Sequence, residues 1–450
     1  MSHPVFTLYE NHAYPAMSHP LSDPALSAVA ASLGGLKTPH PARARILEIG
    51  CSTGHHLIPL ALRWPESELV GMDLIPSSIQ LATARAAAVG AANVHFEVAD
   101  LKNYQPSGGK FDYIIAHGFF SWVPDEVKAA LLEFCRENLT SAGIAMVSFN
   151  VEAGWATRFT VVQKVRILQE LGGVDVITAL EVLRGLTEEK SPEITIIDDM
   201  RAKGAVILAF DDFGPVNDAW SLDRFIQAAT AAGLRWLGES DPAENLPSSL
   251  SAEVVEELMA RNLTPLELQL AADAIANRTF RAGIMCCNDA PVEERIFLDR
   301  VLDFSLRAGN PPEGEKELTI WQAVQAHAPC TVTAARLDLP EISLRELAGT
   351  VYSGVFSGWL LARIEPVVFD FSVPEIPVLA PFRLYCARHR LPLVDVWHRP
   401  ISFPDEQYLV LIKMDGIISR EELALFSKVH CPDLAFDPWL RHLAERGIFS

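Results

Sequence analysis

Between residues 44 and 150, short apolar runs alternate with amphipathic stretches, and this alternation predicts a parallel sheet covered by helices on both faces. Ile46, Leu47 and Ile49 make the first run, which breaks at Gly50 into a loop of small residues and re-enters a helix at about His55. Residues 69–73 read as a second strand, and 76–89 as a helix with Pro76 near its first turn. Residues 94–98 form a third strand. Residues 111–116 form a fourth, apolar without interruption, as in a strand buried on both faces. Pro124, Asp125 and Glu126 open a helix whose stripe is Val127, Leu131, Phe134 and Cys135, and 144–149 is a fifth strand. In such a doubly wound α/β sheet, ligands sit at the carboxyl ends of the strands.

Beyond Gly154 the period becomes mostly helical. Residues 159–171 are amphipathic and 174–186 continue them; 221–232 form a helix ended by Gly233, 234–239 are strand-like, and 251–258 and 265–277 are helical. A mixed region follows to about 370, then a stretch broken by Pro374, Pro377 and Pro381. The end reads as a small helical or winged-helix module, with a hairpin in 401–412 and helices at 420–429 and 438–446. The first forty residues are a proline-rich arm carrying Tyr9 and Tyr14, with a short helical patch at 24–33. The arm either packs over the next domain or covers its ligand.

Composition narrows the class. A chain of 450 residues exceeds one ordinary core, so two to four domains are expected. A net charge of -20 argues against a nucleic-acid partner, which needs a basic footprint. No apolar run is long enough to span a membrane, and the first residues lack the basic and apolar parts of a secretory signal. Seven scattered cysteines describe a reduced, cytoplasmic chain. The histidines show no ligand spacing, so no metal is expected.

The chemistry gathers at the strand ends. Gly50-Cys51-Ser52-Thr53-Gly54 lacks the third glycine of the dinucleotide fingerprint. Acids stand at three strand ends: Glu48, Asp73 and Asp100. Asp73 is placed to accept both hydroxyls of a ribose, which alone fits NAD as well. Asp100 is placed to accept from an adenine amino group, and Glu48 to orient the ammonium of an amino-acid tail. Ribose, adenine and a zwitterionic tail without pyrophosphate describe S-adenosyl-L-methionine.

The segments ILEIGCSTGHHLIPLA, VGMDL, FDYIIAHGFFSWVP and FNVEAGW resemble class I S-adenosylmethionine-dependent methyltransferases that carry a methyltransferase regulatory domain. That group includes the protein lysine methyltransferases of rickettsial outer-membrane proteins. ANRTFRAGIMC, DRFIQAATAAGLRWLGES and LPLVDVWHRPISFPDEQYLVLIKMDGIISREEL extend the resemblance over most of the chain. It implies a Rossmann-like doubly wound methyltransferase core, mostly helical regulatory and middle domains, and a small winged-helix-like C-terminal module. The boundaries expected are 1–40 for an arm covering the site, 41–155 for the core, 156–289 for a helical regulatory domain, 290–375 for a middle domain and 376–450 for the last module.

By the same resemblance Glu48, Gly50, Cys51, Ser52, Gly54, Asp73, Leu74, Asp100, Leu101, His117 and Gly118 fall at cofactor-binding positions. His117, Tyr14 and Trp122 are the candidates beside the transferred methyl group, and Phe119 and Phe120 are further candidates to line the acceptor passage. The chain departs from the family at Ser52, His56, Phe149, Glu152-Ala153 and Asp211-Asp212-Phe213. Ser52 is small enough to be tolerated; the others bear on the substrate rather than the cofactor. The expected activity is methyl transfer to a lysine side chain of a protein or peptide. A small-molecule methyltransferase and a non-catalytic S-adenosylmethionine-binding scaffold are the alternatives. The long amphipathic helices after Gly154 suit a homodimer.

Overall fold

The structure is a computed structural model that describes residues 9, 10, 14–247, 249–294, 298–331, 339–367 and 369–449. Its centre is a seven-stranded sheet: β1 (Arg45–Ile49), β2 (Glu68–Asp73), β3 (Val94–Val98), β4 (Phe111–Ala116), β5 (Leu139–Asn150), β6 (Leu234–Glu239) and β7 (Phe280–Cys287). The order is β3-β2-β1-β4-β5-β7-β6. β1 to β5 run parallel, and β7 is antiparallel to both its neighbours. Alternate residues feed two cores, as strands buried on both faces require. Ile46, Leu69, Tyr113 and Ile144 face one side; Leu47, Val70, Ile114 and Ala145 face the other.

The helix α1 (Pro24–Leu33) belongs to the body of the fold rather than to a loose arm. Asp23 caps it by accepting from Ala25 N, and its small side chains let it pass between two cores. Ala25, Ala28, Ala30 and Ala31 meet the sheet's core, while Val29 and Leu33 meet the core of the 298–364 region. α2 (Leu57–Arg63) and α3 (Pro76–Val89) join α1 on that face of the sheet. α4 (Asp125–Asn138) covers the other.

Between β5 and β6 the chain inserts α5 (Glu152–Gly172), α6 (Val176–Leu186) and α7 (Glu193–Phe210), which share a separate core of Val161, Leu180, Ile197 and Met200. The expected continuous run through 159–186 is two helices, because Gly173 turns left-handed (φ 61°) and Asp175 caps the next one. α7 has no counterpart in the sequence reading. Its first turns are rich in β-branched residues, and Gly204 (φ 75°, ψ 162°) interrupts it, so the period is blurred. α8 (Leu222–Ala231) then leads into β6, and α9 (Ala252–Met259) and α10 (Pro265–Ala276) lead into β7. Residues 156–289 therefore include the last two strands of the central sheet, and the sheet does not end at 155.

Next come β8 (Ser305–Ala308), α11 (Glu315–His327), α12 (Leu344–Phe356) and β9 (Leu360–Arg363), with β8 antiparallel to β9. The C-terminal module holds α13 (Pro381–Arg388), β10 (Leu393–Val394), β11 (Pro400–Ile401), α14 (Asp405–Leu411), α15 (Arg420–His430) and α16 (Phe436–Glu445). The hairpin expected in 401–412 is displaced. β10 pairs with β11, and Pro404 followed by Asp405 and Glu406 opens a helix over the rest. Among the described residues no helix is long and apolar enough to cross a membrane.

Candidate active site

A cavity of about 680 Å³ opens at the carboxyl ends of β1 to β4, where the strand order reverses between β1 and β4. Its floor is the turn after β1. Gly50 takes a left-handed backbone (φ 75°) that favours glycine, and a Cβ there would press on the Phe119 ring at 3.1 Å. Asp73, at the end of β2, holds the turn: one carboxylate oxygen accepts from Ser52 N at 2.8 Å and the other from Ile75 N at 3.0 Å. Arg85 in α3 braces the turn from behind, donating to Thr53 Oγ1 at 2.6 Å.

Glu48 is buried beside Asp73, and burial, with that neighbouring charge, pushes its carboxyl up to about 8. Glu48 Oε2 finds no hydrogen-bond partner among the described residues. An acceptor buried in this way is costly unless a donor arrives, and a positively charged donor is the one that restores the carboxylate. The cavity therefore fits a ligand with a cationic group near Glu48 and hydroxyls near Asp73. Burial also raises the Asp73 carboxyl, against three backbone N–H groups that pull it down.

Of the residues expected at the site, Tyr14, Glu48, Gly50, Cys51, Ser52, Asp73, Leu74, Asp100, Leu101, His117, Gly118 and Trp122 all line this cavity. Gly54 does not. A side chain there would meet Phe96 and Ala82 at 2.7 and 3.1 Å, so it lets the turn pack against β3 and α3. Phe119 lines the cavity, but Phe120 is wholly buried against Trp220 and Phe225. Phe149 likewise stacks on Phe225 at 4.3 Å inside the core, and Glu152 and Ala153 do not line the cavity. Of the departures read as bearing on substrate, His56 and Asp211 reach it.

On the near side His56 and His117 are joined by His19, which the sequence did not single out, and His398 stands behind His56. His19 of the arm stacks on His117 at 3.8 Å, and its backbone N–H donates to His56 Nδ1 at 3.2 Å. His117 Nδ1 pairs with Ser22 Oγ at 2.7 Å, and His398 Nε2 lies 2.8 Å from His56 Nδ1. Burial drives all four imidazoles below their ordinary value: His19 to about 4, His398 to about 3, His56 and His117 well down. His19 and His398 stand 37 and 342 residues from His56, so no spacing rule finds them. Among the described residues no group of three or more His, Cys, Asp or Glu side chains is set to hold a metal.

The far side comes from the arm, the helical insertion, the segment before α4 and the start of β7. Trp122, Trp155 and Phe280 form apolar wall, and Trp155 Nε1 donates to Thr279 O at 2.9 Å. Tyr9 and Tyr14 pack their rings on Phe210 at 4.8 and 5.3 Å. Tyr14 Oη donates to Asp211 Oδ1 at 3.4 Å.

A sheet of this order with an antiparallel β7, and acids at the ends of β1, β2 and β3 around one cavity, define a class I methyltransferase domain whose cofactor is S-adenosylmethionine. A methyltransferase domain model matches residues 46–143, and a predicted methyltransferase regulatory domain model matches 205–287. The chain carries both. The second match contains β6 and β7, so the regulatory domain is built into the catalytic sheet.

Uncharacterized protein RP789 of Rickettsia prowazekii is 28% identical over 323 residues, 68% of this chain and 57% of that protein. RP028 of the same organism is 33% identical over 153 residues, 34% of this chain and 61% of that protein. The chain thus spans about three-fifths of the length of these relatives. The structure of PKMT2 from Rickettsia typhi, also solved in complex with AdoHcy, has the same fold. The TM-score is 0.78 at 21% identity, over 96% of both chains.

Proposed function

We propose that this chain is a methyltransferase that transfers the methyl group of S-adenosylmethionine to a lysine side chain of a protein or peptide. When bound, S-adenosylmethionine supplies a methyl group already activated on a sulfonium. The chain's residues hold, orient and shield. Glu48 takes the ammonium of the amino-acid tail, Asp73 the ribose hydroxyls and Asp100 the adenine amino group. His117 stays neutral at pH 7 and, with Nδ1 held by Ser22, forms a fixed wall beside the reacting atoms rather than a mobile base. Trp122, Phe119 and Tyr14 border the acceptor. Their apolar surroundings favour the uncharged amine that methyl transfer needs, and exclude water.

The observation that carries this reading is that one cavity joins the three strand-end acids to an aromatic chamber under the arm. The shared fold with PKMT2 and the resemblance to protein lysine methyltransferases support the lysine acceptor. Labelled methyl transfer into a cell lysate, resolved into protein and small-molecule fractions, tests it. Label in protein lysine is expected. Label confined to small molecules would move the acceptor to the small-molecule class, and cofactor binding without transfer would leave a scaffold.

A further inference from the structure

Three carboxylates on α7 and just beyond it, Asp199, Asp211 and Asp212, divide their labour. Asp212 is fully buried and taken by Arg158, with Lys203 Nζ at 3.6 Å. Asp199 is taken by the same two cations, at 2.8 and 3.6 Å. Asp211 faces the cavity instead, its side chain 22% exposed. Its partners there are long: Tyr14 Oη at 3.4 Å and Lys203 Nζ at 4.0 Å. A half-buried carboxylate so weakly met has lost water without gaining a full ion pair, and burial raises its carboxyl accordingly.

Its position is nonetheless firm. Asn217 Nδ2 donates to the Asp211 carbonyl at 2.9 Å, and Asn217 Oδ1 accepts from Asn150 Nδ2 at 3.0 Å. Asn150, the last residue of β5, in turn donates its N–H to Ser121 Oγ at 2.8 Å. Asp211 is thereby tied to the end of the central sheet, across the chamber walled by Trp122, Trp155 and Phe280. The arm closes over it through Tyr9 and Tyr14 on Phe210.

An apolar passage with one under-used carboxylate at its side matches a flexible hydrocarbon stem ending in a primary ammonium. Aromatic faces cover the methylenes and the carboxylate meets the charge. Lys203, reaching toward the same carboxylate, shows that a lysine ammonium fits beside it. We infer that Asp211, covered by Tyr14, is the acceptor-binding residue that meets the incoming amine as its ammonium and takes the proton the amine must give up before it attacks. This rests on the amine-acceptor reading above and assigns the group that selects for it.

The test uses the full-length chain loaded with AdoHcy and follows binding of n-butylammonium by calorimetry, against neutral 1-pentanol. The wild type is expected to favour the amine. Asp211→Asn should weaken amine binding by about tenfold or more, the scale of a charge-assisted hydrogen bond, with pentanol unmoved. Tyr14→Phe should give a smaller loss in the same direction. Equal amine affinity in wild type and Asp211→Asn, or a wild type that does not prefer the amine, overturns the assignment. An Asp211-dependent amine signal in a chain that fails to bind AdoHcy would leave the amine site standing and remove the methyl-donor reading.

Discussion

His56 Nδ1 and His398 Nε2 lie 2.8 Å apart although 342 residues separate them, and the contact ties the cofactor turn to the C-terminal module. Because the His19 N–H also points at His56 Nδ1, that nitrogen is assigned as the acceptor and His398 as the donor. His398 is held left-handed (φ 62°) next to the buried Asp23, which binds Arg63 at 2.5 Å and Arg363 of β9. His398→Asn keeps a residue that tolerates this backbone and removes the ring. It should cost about 1–3 kcal/mol, the range for a buried group left unpaired. Chemical denaturation measures the stability, and an unchanged midpoint would mean that the contact carries no weight.

The same buried imidazoles set the acid limit of the fold. Above pH 6.5, His19, His55, His56, His117 and His398 are neutral whether the chain is folded or not. Below it the unfolded chain takes up protons that the folded one refuses until about pH 4 for His19 and His55 and about 3 for His398. The histidines' share of stability is therefore complete well above pH 6.5 and falls as pH drops toward 4, by up to about 1.4 kcal/mol per pH unit for each histidine, while Glu48, pushed up to about 8, works in the opposite direction and offsets part of one histidine's share. Asp23, held well below its usual range by its arginines despite burial, stays ionised in the folded chain and adds to the slope only at the acid end of this window, where the unfolded chain's carboxylate begins to take up its proton. Denaturation midpoints from pH 7 to 4 should decline, and less steeply in His398→Asn.

The parts legible in the sequence are those whose cause is local. The fourth strand falls on β4 because two-sided burial leaves an unbroken apolar run from Tyr113 to Ala116, the third on the edge strand β3 because Val94, Phe96 and Val98 alternate with polar residues, and the helix after Pro76 on α3 because an N-terminal proline marks its first turn. The strand-end acids are visible for the same reason, each standing where an apolar run stops. That residues 280–287 return to the sheet beside β5, with 234–239 outside them, is written in pairing across 130 to 140 residues for β5 with β7 and 44 to 53 for β6 with β7, which periodicity does not carry. The aromatic chamber is likewise assembled from the arm, α5, the end of α7, Trp122 before α4 and Phe280 of β7. Asp211 was visible as a departure from the family, but its separation in role from Asp212 appears only once Arg158 is seen to take one and not the other.

Glu48 predicts a proton linkage for cofactor binding. With its carboxyl at about 8, the ligand-free chain at pH 7 holds Glu48 protonated. A cationic tail favours the carboxylate, so binding should release up to about one proton. Affinity should rise with pH until about 8 and then level. Calorimetry in buffers of different ionisation enthalpy reads this release directly, and Glu48→Gln should bind more weakly with the pH dependence gone.

Asp73 carries two duties, accepting from Ser52 N and Ile75 N while facing the cavity. Asp73→Asn keeps the size and removes the charge, leaving one oxygen to serve both amides and any ribose hydroxyls. S-adenosylmethionine affinity should drop by about tenfold or more. Unchanged binding by calorimetry would misplace the ribose end of the site.

Arg281 tests the union of the regulatory domain with the catalytic sheet. It lies on β7, fully buried, and reaches Glu239 at the end of β6 and Asp273 of α10, the latter at 2.8 and 2.9 Å. Glu239 also accepts from Ala282 N at 2.9 Å, so this one cation neutralises the carboxylates that join two strands and a helix. Arg281→Met would leave Glu239 and Asp273 with only the longer approaches of Arg278, at 3.6 and 3.9 Å. A loss of about 3–5 kcal/mol is expected, as for other buried ion pairs broken from one side. Because β7 lies directly against β5, whose end carries Asn150, the loss should reach the cavity. Hydrogen exchange should rise in β5 as well as in β6 and β7. If faster exchange stayed within 205–287 while β5 remained protected, the two domains would be separate folding units despite their shared sheet.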